Sequence, residues 1–115
     1  MDRTPARGEV WYTDLGETIG HEQAGHRPAL IVSTNRYNRG LGKLVVVLPI
    51  TSTVRDHPLR ITILPPDGGL RVKCQVQTDQ IRTVSIERLD RKLGKLSELT
   101  MALIENRLKD LLDLF

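Results

Sequence analysis

The strongest constraint on this chain's fold is a pair of aliphatic runs, short for helices and too apolar for one-sided strands. RPALIVST, Arg27–Thr34, is apolar between its ends, and LVVVLPIT, Leu44–Thr51, is more so. Both are rich in β-branched residues, which suit a pleated surface. Such runs read as inner strands of a sheet. Pro49 has no N–H to give to a ladder, so the end of the second run is expected near a sheet edge or a bulge. Around this pair lie GEVWYTDL (Gly8–Leu15), LRITIL (Leu59–Leu64) and LRVKCQVQ (Leu70–Gln77). The last alternates, which expects Leu70, Val72, Cys74 and Val76 on one face. Asp79–Val84 continues extended, Ser85–Asp90 has room for a helical turn, and RKLGKL makes a last short strand. NRYNRGLGK and TSTVRDHP are polar connectors, and PPDGG, Pro65–Gly69, is a turn.

From Ser97 the period changes. Ser97 suits an N-cap, with Glu98 in the first turn, where the helix dipole favours an acid. Met101, Ile104, Leu108, Leu111 and Phe115 recur at spacings of 3 and 4, one apolar stripe. The stripe is expected to pack on its own sheet, with a second subunit as the other candidate. Five to seven short strands closed by one helix give a mainly β, α+β class: a small, strongly bent sheet or barrel, in one domain over residues 1–115.

Composition narrows the function. Trp11, Tyr12, Tyr37 and Phe115 are the only aromatic residues. That is too few for a binder that stacks base after base. Residues 97–115 hold four acids and two bases, whereas the other 96 residues hold 15 bases and 10 acids. A basic body invites an anionic partner, nucleic acid first. The single cysteine, Cys74, forms no disulfide within the chain, which points to a reducing compartment. No secretory leader or membrane-length apolar run is seen, so a cytoplasmic protein without a membrane partner is expected.

The loop GHEQAGHRP, Gly20–Pro28, is denser in chemistry than a connector requires. His21, Glu22 and His26 suggest a metal, but the histidines are five apart and flanked by glycines, not i and i+4 on a helix. No metal or other cofactor is expected. Cleavage of an RNA phosphodiester needs proton carriers and a cation on the phosphate. Glu22 or His21 suits the first role and Arg27, a bidentate phosphate clamp, the second. A hydroxyl such as Thr51 suits donation to a phosphoryl oxygen. The plainer reading makes Arg27 a surface cation, Glu22 solvated, and Thr51 and Ser52 turn residues of a basic binding module.

RGEVWYTDL, GHEQAGHRPALIVS, VVVLPITS and DQIRTV, in that order and spacing, resemble the MazF/PemK/Kid toxins of bacterial toxin–antitoxin modules. The resemblance covers about residues 7–115. It implies an SH3-like β-barrel with a C-terminal helix, of MazF/CcdB type, in a homodimer. It implies a metal-independent endoribonuclease that cuts single-stranded RNA, mostly mRNA, at short sequences. The 2′-OH attacks in line and leaves a 2′,3′-cyclic phosphate and a 5′-OH. An acidic, MazE-like antitoxin is the implied inhibitor, and growth arrest the implied effect of free toxin. The family's catalytic arginine and threonine fall on Arg27 and Thr51. Its glutamate falls on Glu22, and the Kid and PemK histidine and aspartate fall on His21 and Asp79. Which of these three is the base stays open. Where those members carry an arginine, Gln77 stands here. Gln23, Ser52, Gln80 and Arg82 are implied RNA contacts or loop supports, and Arg55 lies in a connector expected to read bases. Two alternatives share the fold: a CcdB-like gyrase poison, and a member that binds RNA or antitoxin without cutting.

Overall fold

The computed structural model describes residues 4–115. Along it run β1 (Glu9–Asp14), β2 (His26–Ile31), a one-turn helix α1 (Asn35–Asn38), β3 (Leu44–Thr51) and β4 (Arg60–Ile63). β5 (Cys74–Gln77), β6 (Arg82–Ser85), β7 (Leu89–Lys95) and the helix α2 (Glu98–Leu112) complete the chain. The ladders are antiparallel in the order β4-β5-β3-β2-β1-β7, with β6 on β3.

β3 is the axis. Its first half pairs with β6, from Leu44–Ser85 to Val47–Arg82. Its last two residues pair with β5, Ile50 with Val76 and Thr51 with Gln75. The neighbour changes at Leu48–Pro49, where that flank carries no ladder partner. β3 is therefore central rather than an edge, and Pro49 sits where a missing N–H is tolerated.

Among the described residues no ladder joins β4 to β7, so the barrel expected from the resemblance is a strongly bent open sheet of the expected α+β class. The short 3₁₀ turn Asp67–Gly69 packs on β7 and spans the gap. A Cβ on Gly69 would stand 2.0 Å from the Leu93 carbonyl oxygen, and one on Gly94 2.6 Å from the Gly68 carbonyl carbon. Only glycine lets the two backbones approach so closely.

Alternation along the strands sends side chains to two cores. One holds Val10, Leu30, Leu48, Ile50 and Val76 with Ile104 of α2; the other holds Trp11, Ala29, Ile31, Val47 and Leu89. Each fully buried aliphatic contributes about 1.5–3 kcal/mol by leaving water. Ser97 caps α2 as expected, its Oγ accepting from Thr100 N at 3.3 Å. The Asp67 carboxylate accepts from Ser97 N at 2.8 Å and Thr100 Oγ1 at 2.7 Å, so the gap-spanning turn also anchors the helix. Met101, Ile104 and Leu108 pack on the first core, whereas Leu111, Leu112, Leu114 and Phe115 stay exposed.

Two local expectations are corrected. Leu70–Lys73 is not strand, and Val72 is 57% exposed, because the chain is still leaving the turn there. The connector after Thr34 begins with α1, nucleated by Thr34 Oγ1 accepting from Tyr37 N at 3.3 Å.

Candidate active site

Arg27 and Thr51 lie at the beginning of β2 and the end of β3. The register pairs Ile31 with Val47 and ends at Ala29 with Pro49, and Arg27 and Thr51 each lie two residues beyond that last pair. Period-two alternation puts both on the face of Ala29 and Val47. Arg27 Nε donates to Ala24 O at 3.0 Å, which holds the guanidinium stem against the preceding loop. Thr51 is buried, and its Oγ1 accepts from Thr53 N at 3.1 Å. Its own O–H meets no acceptor among the described residues and is available to a ligand oxygen.

The segment after Thr51 is fixed from β5. Buried Gln75 pairs with Thr51; its Oε1 accepts from Arg55 N at 3.0 Å and Arg60 Nη1 at 3.3 Å, and its Nε2 donates to Arg55 O at 2.9 Å. Arg60 Nη1 also donates to Thr53 O at 2.9 Å. Arg55 is thus tied by its backbone while its side chain faces solvent, and Ser52 is exposed beside it. Neither Gln75 nor Arg60 stood out in the sequence; alternation hid Gln75 as an ordinary strand residue.

The loop 16–25 is held at its neck and at its tip. At the neck, Leu15 N donates to Gly25 O and Gly25 N to Gly16 O, each at 2.9 Å. Arg82 Nη1 donates to Leu15 O at 3.2 Å. At the tip, Gln80 Nε2 donates to His21 O at 3.1 Å and its Oε1 accepts from Gln23 N at 3.3 Å. Gln80 and Arg82 therefore support the loop in this structure. His21 and Glu22 are exposed, and Glu22 Oε1 accepts from Ile19 N at 3.3 Å. Gln23 is half-buried.

Asp79, next to Gln80 in the chain, faces His57, Oδ2 to Nε2 at 4.0 Å. His57 Nδ1 accepts from Leu59 N at 3.1 Å, so Nε2 is the protonated nitrogen that points to the carboxylate. His57 was passed over in the sequence because its partner is 22 residues away. Gln77 is buried, and its Oε1 has no hydrogen-bond donor among the described residues. Burial raises the Cys74 thiol, in keeping with a core residue. Among the described residues, no group of three His, Cys, Asp or Glu is placed to hold a metal, and no helix is long and apolar enough to cross a membrane.

Residues 6–112 match the family of PemK-like, MazF-like toxins of type II toxin–antitoxin systems. Endoribonuclease MazF9 of Mycobacterium tuberculosis is 36% identical over 114 residues, covering 95% of this chain and 97% of that protein. Endoribonuclease PemK of Escherichia coli is 37% identical over 108 residues, 92% of this chain and 80% of that one. The crystal structure of MazF from Deinococcus radiodurans superposes with a TM-score of 0.85 at 29% identity, covering 98% of this chain and all of that one. A mycobacterial endoribonuclease solved in complex with its cognate antitoxin gives a TM-score of 0.78 at 32% identity, over 99% and 98% of the two chains.

Proposed function

Because the chain belongs to the PemK-like, MazF-like toxins of type II toxin–antitoxin systems, we propose that it cuts single-stranded RNA at Arg27 and Thr51. The observation that carries this reading is their placement just beyond the last β2–β3 pair, with a clamped cation on one strand and, on the other, a hydroxyl that accepts one bond and keeps its proton to donate. The 2′-oxygen bonds to phosphorus as the P–O5′ bond breaks. Arg27 holds the phosphoryl oxygens through the crowded intermediate, and Thr51 donates to one of them. Glu22, His21 or Asp79 takes the 2′-OH proton, and the departing O5′ receives one. The products are a 2′,3′-cyclic phosphate and a 5′-OH. Glu22 is the nearest of the three in sequence to Arg27, and it reaches a substrate by leaving its bond to Ile19 N.

Gln23, Ser52 and Arg55 are proposed RNA contacts, while Gln80 and Arg82 set the loop. The named relatives are endoribonucleases, which favours cleavage over gyrase poisoning or binding alone. An acidic antitoxin suits the basic body, and a second copy of the chain suits the exposed apolar end of α2. The reducing cytoplasm, where mRNA is found, is the proposed location, with the molecule acting as one domain.

The test is to incubate protein with a long single-stranded RNA in excess EDTA and map the ends by primer extension. Cuts at a recurring short word, with 5′-OH termini, are expected, and none from Arg27→Ala. Full activity of a folded Arg27→Ala protein refutes the assignment.

A further inference from the structure

A cleft opens beside Arg27 at the ends of the same strands. It has a volume of about 720 Å³ and is lined by Arg27 with Tyr12, His26, Ser52, Arg71 and Arg91, among others, and among the described residues no carboxylate lines it. Lys92 Nζ lies 2.9 Å from Glu9 Oε2, and Arg91 Nη1 3.6 Å from Asp90 Oδ2; among the described residues no ion pair engages Arg71. Across the cleft floor runs a row of flat groups. The Arg91 guanidinium carbon lies 4.8 Å from the Tyr12 ring centroid, and the His26 ring stacks at 6.0 Å with 28° between planes. The sheet builds this row: β1–β7 register sets Tyr12 beside Arg91, and β1–β2 register sets it beside Pro28, two residues from His26 on the same face. The His26 and Arg91 side chains remain 57% and 64% exposed. His26 Nε2 also sees Asp14 Oδ2 at 3.9 Å.

The row adjoins the cutting site. Arg27 lines the same cleft as His26, and so does Ser52, which follows Thr51, so the row and the proposed phosphate site share one rim. A single strand of RNA that seats a phosphate at Arg27 crosses this rim, and its next bases meet the cleft. Unpaired bases stack on aromatic rings and on guanidinium planes. We propose that His26, Tyr12 and Arg91 form a stacking ledge for unpaired nucleobases flanking the scissile phosphate. The proposal rests on the ribonuclease reading of Arg27 and Thr51, but its binding test does not need cleavage.

The probe is a fluorescent, random-sequence 2′-O-methyl RNA 12-mer pool, which lacks the nucleophile and contains every short word. Anisotropy is measured with wild type, His26→Ala, Arg91→Ala and Arg91→Lys, each checked for fold by circular dichroism. Loss of one stacked base weakens binding about tenfold. His26→Ala and Arg91→Ala are expected to bind about tenfold more weakly. Arg91→Lys keeps the charge and loses the plane, so it is expected to match Arg91→Ala. Wild-type binding by Arg91→Lys reduces the row to a charge and overturns the ledge, as does wild-type binding by all variants. Variants that keep RNA but lose a fluorescent poly-glutamate peptide make the cleft an acidic-peptide site, which also overturns it. Weakened probe binding in a protein whose wild type cuts no RNA supports the ledge and refutes only the nuclease reading.

Discussion

Gly69→Ala, set against Gly25→Ala, isolates what seals the gap in the sheet. The two glycines have nearly the same φ, +74° and +75°, but a Cβ on Gly25 would meet nothing within 4 Å. An alanine in the left-handed region costs about 1–2 kcal/mol, which is the whole expected loss for Gly25→Ala. At Gly69 the new methyl would lie 2.0 Å from Leu93 O and 2.6 Å from Leu93 C, far inside the 3.0 Å that real contacts keep. Backbone has to yield there, since no flexible side-chain end is involved. Overpacking adds about 1–3 kcal/mol, for a total near 2–5 kcal/mol. That is a large share of the ~5–15 kcal/mol by which a domain is stable. Urea unfolding of the three proteins gives the difference directly, and thermal melts are expected to fall by about 4 °C or more per kcal/mol. Equal losses for the two variants, within ~0.5 kcal/mol, refute a steric seal at β7.

Other outcomes follow from the same geometry. Thr51→Val is expected to lower kcat at least about 100-fold with Thr51→Ser largely active, in single-turnover cleavage, if the hydroxyl stabilises developing charge. Gln80→Ala removes both tethers at the loop tip; amide exchange at His21–Gln23 is expected to quicken, while global stability falls by only about 1 kcal/mol. Gln77→Met removes a buried acceptor without a protein donor, so urea unfolding is expected to show no loss or a gain of about 1 kcal/mol. Burial pushes the Asp67 carboxyl up, but hydrogen bonds from Thr100 and Ser97 outweigh it and leave it below its ordinary value of 3.8. A carboxyl depressed on folding stabilises above its unfolded pKa, and that contribution is lost as pH falls through the folded value. Asp67→Asn should therefore flatten the loss of stability on acidification below pH 3.8.

Much of the fold was legible where one physical signal acted alone. β3 has the expected bounds, since an aliphatic run between polar loops has few other uses, and Ser97 caps α2 because apolar period and cap agree. Alternation misled at Val72, where a pattern suited to a strand lies in a segment still shaped by the turn before it. Closure was beyond reach: whether β4 meets β7 depends on contact between Gly69 and Leu93, 24 residues apart, with no side chain to announce it. Within the candidate site, Arg27 and Thr51 could be proposed from the sequence, but the loop histidines could not be sorted. His21 and His26 look equivalent in GHEQAGHRP; His26 begins β2 and lines the cleft, while Gln80 holds the backbone of His21. The roles of Gln75 and Gln80 rest on partners 20 and 57–59 residues away.

An unclosed sheet has two free borders, and each invites another chain to add a strand. Along β7 that invitation is blunted by Arg88 at its threshold and by Arg91, Lys92 and Lys95, whose like charges repel a second copy approaching side by side. Along β4 the guard is bulk: α2 packs against it, and Arg107 Nε donates to Pro58 O at 3.0 Å just ahead of the strand. On the proposed reading the basic residues of β7 serve twice, attracting a polyanion while keeping the protein from polymerising on itself. Neutralising them to sharpen specificity would carry a cost in colloidal behaviour that no activity assay registers.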